Sequence, residues 1–382
     1  MTPVSRSILA FAAFGGMFGT WQVLLPDLVR HLGISPPLLG LALSIGFVPS
    51  IPMSLLAGRL MARHGAGVVA LASGSALAAC LVGFSLVGSY LPFVVLACVF
   101  FAASGSFDVA INAMAIHLEQ ERRSRLLTWL HAAYSAGGFA GAVLAGVSLA
   151  LGAPFMSLLL AAAALTLAVA IILRRARSTA ADVPPGTARS ALRDPVLLLL
   201  AATAAFALVG ESAMESWSAI YLRNGLGLPV VVGALGVAIF HGMMALGRVL
   251  GGAGIARLER STGLVVAGSL AAAGMLLAVA TTDPVVVLVG FTIVAAGLSV
   301  TFPLVLSWAG ARRPASGGSA AAAIISIAYS GFLVGPAVIG GLAQLASLRV
   351  ALLTVSLCGL LIILGGVTAG RVSRARQVSA RG

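Results

Sequence analysis

Along most of this chain apolar residues follow one another without the alternation of a strand, in runs of about 20 or more residues separated by short polar or arginine-bearing segments. A helix rises about 1.5 Å per residue, so a run of about 20 crosses a hydrocarbon layer of about 30 Å. Continuous apolar runs satisfy their backbone groups in lipid only as helices, because the strand of a membrane barrel alternates apolar and polar positions. Twelve runs are read, at 7–28, 38–61, 67–88, 92–117, 126–151, 154–173, 196–222, 230–255, 263–280, 284–309, 319–346 and 350–369. The first contains Trp21 and Asp27, exceeds a signal-peptide core in length and lacks an evident small-residue cleavage site, so it is expected to remain as a span.

The longest polar stretch, 174–194, carries Arg174, Arg175, Arg177, Ser178, Thr179 and the run Pro184-Pro185-Gly186. Such a composition cannot pack a core, so it reads as a connection between two sets of six spans. The expected architecture is an all-α membrane protein: an N-terminal six-helix bundle at 1–173, a cytoplasmic linker at 174–195 and a C-terminal six-helix bundle at 196–382. An internal repeat supports the division. Ala62-Arg63 after the second run and Ala256-Arg257 after the eighth stand 194 positions apart, about half the chain. Two fused units holding solute between them are a recurrent transporter plan.

Composition agrees, with 60% hydrophobic and 9% charged residues over 382 positions. All 23 basic residues are arginine, and the net charge is +13. Nineteen of them fall on the side that an even number of spans gives to both termini; only Arg30, Arg223 and Arg349 fall in the opposite loops, and Arg248 lies within a run. Short positively charged loops stay in the cytoplasm, so both termini are expected there, in a plasma membrane. Spread over seven short segments, the arginines form no single basic patch, which excludes a nucleic-acid interface. Cys80, Cys98 and Cys358 lie in apolar runs without metal-ligand spacing, so no disulfide, metal or cofactor is implied.

Gly58, Leu60, Arg63 and Gly65 straddle the end of the second run, and Gly252 and Arg257 the end of the eighth. At these positions the chain resembles the major facilitator superfamily, which carries a Gly-x-Leu-x-Asp-Arg-x-Gly-Arg signature after helix two and a weaker copy after helix eight. Ala62 and Ala256 stand where the family has an acid, and Ala66 replaces a cation, so a charge latch built there is not implied. Four further segments are 105–112, His131 to Gly138, Met214 to Leu222 and Tyr329 to Pro336. Together they resemble a bacterial branch of that superfamily distantly similar to the fucose:proton symporters, whose helix four carries an acid followed four positions later by Asn, as do Asp108 and Asn112. The resemblance implies proton coupling and a polar solute.

Glu211 and Glu215 sit four apart within the otherwise uncharged run 196–222. A carboxylate near the middle of a membrane helix costs about 2.5–3.5 kcal/mol on insertion scales, so it survives facing a bundle interior or a wet cavity. Two on one helix face repel when both are ionised, so the site favours holding a proton on one of them, which is the chemistry of a proton carrier. Folding the chain about the loop near residue 226 brings Glu211 and His241 to similar depth; folding about residue 121 does the same for Asp108 and Tyr134.

The residues read as proton-coupling are therefore Asp108, Glu211, Glu215 and His241. Those read as substrate-binding are Trp21, Gln22, Asn112, His131, Tyr134, Arg248 and Tyr329. Each has a structural alternative. Asp108 can bond only Asn112 or Tyr134, Arg248 can bond neighbouring helix ends, and either His can be a neutral hydrogen-bonding partner. Trp217 and Tyr221 suit a cavity or an interfacial belt. Glu119, Asp27 and Asp283 read as solvated charges near loop ends. Asp108, Asn112, Glu211, Glu215 and His241 are expected to face the space between the two six-helix units. Small residues at Gly137, Gly141, Gly138, Ala142 and Gly146 read as a helix-packing face.

The function that fits is a secondary active transporter, expected to be a monomer, moving a small polar organic solute together with protons by alternating access. A proton:drug antiporter uses the same acids, but its Gly-Pro signature in helix five is absent around Gly137 to Gly146. An intramembrane enzyme is disfavoured by the lack of G-x-S-x-G and H-E-x-x-H motifs. A non-transporting receptor on this scaffold is the remaining class. The arginine asymmetry makes a direct prediction: in a background without the native cysteines, Ser190→Cys reacts with an impermeant thiol reagent only from the cytoplasmic side. Labelling from outside would reverse the orientation.

Overall fold

The computed structural model describes residues 1–122, 126–176, 194–254, 259–312 and 324–379, and every regular element among them is helical. Among the described residues twelve helices are long and apolar enough to cross a membrane: Pro3–Leu32, Pro36–His64, Ala66–Leu86, Tyr90–Arg122, Leu127–Ala150, Phe155–Leu173, Pro195–Gly225, Val230–Leu250, Arg260–Val279, Pro284–Arg312, Ile324–Leu345 and Leu348–Arg374. They are numbered spans 1 to 12. The predicted linker core at 177–193, the second motif copy's Ala256 and Arg257, and the first residues of the eleventh run lie outside the described residues.

Local chemistry sets the ends. Thr2 caps span 1 by accepting from the Ser5 amide (3.1 Å), Pro3 occupies the first turn where no N–H is needed, and Gly33 closes the helix at φ +61°. Span 2 is not one straight helix: Pro36–Phe47 and Ser50–His64 meet at a turn through Pro49, which has no N–H to continue the ladder. Span 7 ends in a wider π turn, Tyr221–Gly225. At the start of span 5, Glu119 accepts from the Leu127 amide (2.8 Å), so this residue caps a helix and is not simply a solvated charge. Asp283 likewise accepts from the Val285 and Val286 amides at the start of span 10.

The chain divides into two compact units, Met1–Ala181 with Ser216–Ala245, and Asp182–Glu215 with Leu246–Gly382. The dividing points fall inside spans 7 and 8, one residue beyond Glu215 and three residues before Arg248.

In the first unit span 1 lies along span 5 and also meets spans 4 and 6, span 3 packs on spans 4 and 6, and span 2 packs on span 4. The spans 1 and 5 approach backbone to backbone. A β-carbon at Gly15 would fall on the Tyr134 carbonyl, one at Gly137 on the Ala12 carbonyl and one at Gly141 on the Gly16 carbonyl. Small residues allow this closeness, and in lipid, where apolar burial supplies no drive between helices, the resulting van der Waals contact holds them together. On another side of span 1, Trp21 stacks on Phe100 at 5.3 Å and leans against Phe84 and Phe101.

The second unit repeats the device. Span 9 packs on spans 10 and 12; Gly268 and Gly274 meet the carbonyls of Gly359 and Gly290, and Ser261 donates to the Gly366 carbonyl at 2.9 Å. Asp194 caps span 7 through the Val196 amide and pairs with Arg312 at the end of span 10, Nε to Oδ2 2.8 Å.

This packing predicts an asymmetric response to added volume. Gly137→Val should destabilise the purified protein by about 1–3 kcal/mol, the usual cost of overpacking, with a visibly lower melting temperature in detergent. Gly58→Ala, with no atom within 4 Å of the new β-carbon, should be neutral or slightly stabilising.

Candidate functional site

The candidate polar residues inside the spans fall into a cluster in the second unit, a cluster in the first and a pair within span 4. In the second unit, Glu211 and Glu215 stand one turn apart on span 7, and Arg248 of span 8 lies within electrostatic reach of both. Glu211 is buried, while Glu215 and Arg248 are half-buried. The turn that carries Arg248 sits tight against span 10, because Gly247 leaves the place of its β-carbon to the Ser299 hydroxyl. Gly210, just before Glu211, meets Leu298 of the same span. Glycines beside the charged residues thus bring spans 7 and 8 onto span 10. With all three groups ionised, two carboxylates against one guanidinium leave one negative charge, which a single proton or a single cation neutralises.

In the first unit, His241 of span 8 donates from Nε2 to Gln22 Oε1 of span 1 at 2.8 Å, with the two residues 1% and 2% exposed. The imidazole has room only because residue 138 is glycine: a β-carbon there would lie 2.6 Å from His241 Nδ1. Tyr134 meets the imidazole edge-on, ring centres 6.4 Å apart, and also touches Phe14. His131, three residues earlier on span 5, packs edge-on against Phe11 at 5.3 Å. Gln22, Tyr134 and His241 therefore come together around Gly138. Trp21 faces the aromatic stack of spans 3 and 4 described above.

Asp108 and Asn112 pair within span 4. Asn112 Nδ2 donates to Asp108 Oδ1 (3.0 Å) and to the Asp108 carbonyl (2.9 Å). The i, i+4 spacing alone produces this contact, so it needs no neighbouring helix. Tyr329 caps the helix Ser330–Leu345 of span 11 and is 40% exposed. Trp217 and Tyr221, for which an interfacial belt was one reading, are completely enclosed by protein and do not form such a belt.

A further charged group departs from its expected setting. Asp27, expected as a solvated charge, is largely enclosed and bonded by Arg223 and Arg30. The repeat held a signal for it: Trp21 and Trp217 stand 196 positions apart, and so do Asp27 and Arg223. Spans 1 and 7 are thus equivalent elements whose ends carry opposite charges.

The buried Gln22 and His241 pair makes a quantitative prediction. Replacing either by Leu removes this bond, and a double-mutant cycle on Gln22→Leu and His241→Leu should return a coupling of about 0.5–1.5 kcal/mol. Additive effects on the detergent melting curve would mean that the bond contributes nothing.

Residues 7–336 match the family described as Major Facilitator Superfamily. Over 343 residues the chain is 28% identical to an uncharacterized MFS-type transporter of Yersinia pestis, covering 90% of this chain and 89% of that protein. It is also 28% identical over 372 residues to the membrane protein MosC of Rhizobium meliloti, 94% and 88% covered. Among solved structures, a mutant of the nucleoside transporter NupG superposes with a TM-score of 0.81 at 13% identity, over 96% of this chain and all of the other, a likeness of fold. Twelve spans, the paired motif positions and the match over most of its length establish that this chain belongs to the major facilitator superfamily, as a multi-pass membrane transporter.

Proposed function

We propose that the protein is a proton-coupled symporter of a small polar organic solute, sugar-like or a related metabolite, working by alternating access between an N-terminal and a C-terminal six-helix bundle. The observation that carries the reading is the cluster of Glu211, Glu215 and Arg248 inside spans 7 and 8. Charges at that depth are retained where they have work to do. Glu211 or Glu215 takes up the proton, Arg248 holds whichever carboxylate stays ionised, and release of the proton restores the surplus negative charge. Asp108, with its bond to Asn112, and His241, with its bond to Gln22, are further places where a proton can rest.

Gln22, Asn112, His131, Tyr134, Arg248 and Tyr329 supply the hydrogen-bond donors and acceptors a hydroxylated solute needs, while Trp21, packed in the aromatic stack, supports Gln22 beside it. The nucleoside transporter with the same fold handles a solute that contains a sugar ring, which supports this class without naming the molecule. The site works as a monomer in a plasma membrane with both termini cytoplasmic.

A second reading rests on the two-to-one ratio of carboxylate to guanidinium. A surplus negative charge suits a cationic solute that displaces the proton, giving efflux by exchange. Reconstitution in liposomes containing a pH-sensitive dye separates the two readings: in symport, solute and protons move the same way, in exchange they move oppositely.

Glutamine at position 211 or 215 keeps shape and most hydrogen bonding but cannot titrate. Glu211→Gln should reduce accumulation driven by a pH gradient by about tenfold or more, the scale of losing a positioned proton-transfer group. Exchange of solute at equal pH should survive. Glu215→Gln should mainly change apparent affinity. Undiminished pH-driven accumulation in Glu211→Gln, Glu215→Gln and Asp108→Asn alike would exclude coupling through these acids.

A further inference from the structure

The far ends of spans 1 and 7, on the side of the chain away from its termini, hold a charged cluster that the proton-coupling reading leaves unused. Arg223 grips Asp27 with both arms of its guanidinium: Nη2 donates to Oδ1 at 2.9 Å, and Nη1 donates to Oδ2. The two side chains are 6% and 14% exposed. Arg30 also donates to Asp27 Oδ1 through Nη2 and, through Nη1, to Asn224 Oδ1 at 3.0 Å. Two residues of span 1 are thus tied to two consecutive residues of the π turn that ends span 7. Gly233 at the start of span 8 makes room for the arm, since a β-carbon there would lie 2.7 Å from Arg223 Cδ.

One turn deeper, Val23, Ala142, Ala145, Ala219, Ala234, Val237 and Ala238 of spans 1, 5, 7 and 8 close into a dry apolar layer. Below it lies the bond between Gln22 and His241. Three successive layers, an ion pair, small apolar side chains and a hydrogen bond, therefore attach Ser216–Ala245 to spans 1 and 5. The division of the chain reflects this attachment, because Ser216–Ala245 belongs with Met1–Ala181 while the remainders of spans 7 and 8 belong to the other unit.

We propose that Asp27, Arg30, Arg223 and Asn224 form a latch that keeps this side of the transporter closed. A carrier that alternates must open the side on which spans 1, 5, 7 and 8 meet here, and the meeting surfaces must part cleanly. Alanine and valine side chains form a tight seal but present few atoms, so the apolar layer separates readily. A bidentate, enclosed carboxylate and guanidinium pair adds a directional bond that is lost as a unit once the ends move apart. Asp27→Asn leaves the enclosed Arg223 without its carboxylate, and Arg223→Gln leaves Asp27 with Arg30 alone; water entry relieves the loss, so the latch variant populates the open state. The inference rests on membership of a carrier family and holds whichever solute or ion is carried.

The test uses the full chain without Cys80, Cys98 and Cys358, carrying Ala238→Cys in the apolar layer as a reporter. An impermeant maleimide is applied from the side of the 226–229 loop. With the latch intact, labelling should be slow. Asp27→Asn and Arg223→Gln should each raise its rate by about tenfold or more, since breaking an enclosed pair is strongly unfavourable. The double reversal Asp27→Arg with Arg223→Asp should return the rate toward the starting value. Arg349→Gln, which removes a donor at the start of span 12 to the Val279 carbonyl at the end of span 9, should leave it unchanged. Monodisperse elution in detergent certifies the fold of each variant, and Arg223→Lys, which keeps the charge and loses the fork, replaces any that fails and should label at an intermediate rate. Equal labelling with and without the pair would overturn the latch. So would a double reversal as reactive as the single variants, because the effect would then be loss of packing.

Discussion

A charge inside a hydrocarbon layer must have a partner, and much of this molecule follows from how each one finds it. Arg248 has Glu211 and Glu215 within electrostatic reach, Asp27 has Arg223 and Arg30, Asp194 has Arg312, and Asp108 has the Asn112 amide. A lone carboxylate or guanidinium in lipid is too costly to keep, so each of these partnerships between different helices constrains which of them lie side by side, while Asp108 finds its partner within its own helix. The carboxylates of span 7 outnumber their guanidinium, and the proposed proton coupling rests on that surplus. At the cluster around Asp27 the guanidiniums outnumber the carboxylate, leaving no such surplus, and its geometry is that of a clasp.

Close backbone contact makes these meetings possible. Where Gly15, Gly137 and Gly141 bring spans 1 and 5 together, no side chain intervenes, and Gly138 opens the space that His241 occupies. Gly247 does for Arg248 what Gly233 does for Arg223: each sits where a β-carbon would displace a neighbour, next to a long charged side chain or under one. Polar function in these helices therefore depends on positions that carry no side chain, and a substitution at one of them would move the charge as surely as one at the charged residue.

The same division of labour bears on motion. Spans 7 and 8 are continuous helices, yet their parts are held by different neighbours: Ser216–Ala245 by spans 1 and 5, the remainder by spans 9 to 12. Glu215 and Arg248 lie just beyond the two changes of neighbour. The far ends of these spans and the charged cluster thus lie on the same two helices.

Length and apolar continuity in the sequence were enough to establish twelve spans, since a backbone in lipid has no alternative to the helix. The i, i+4 pairs, Asp108 with Asn112 and Glu211 with Glu215, were equally legible, because 3.6 residues per turn decides them without a neighbour. The resemblance at Gly58, Leu60, Arg63 and Gly65 pointed to the family that the match over residues 7–336 establishes. Folding a hairpin about its loop gave depth and nothing about rotation, so it could not say that His241 would meet Gln22 or that Trp217 and Tyr221 would be enclosed. Reading Asp27 as a solvated charge failed for the same reason: its partner is 196 residues away, and one-dimensional spacing is silent about which distant helix comes alongside. Rotation and adjacency are set by which small residues let two backbones touch, and that is decided by the packed whole.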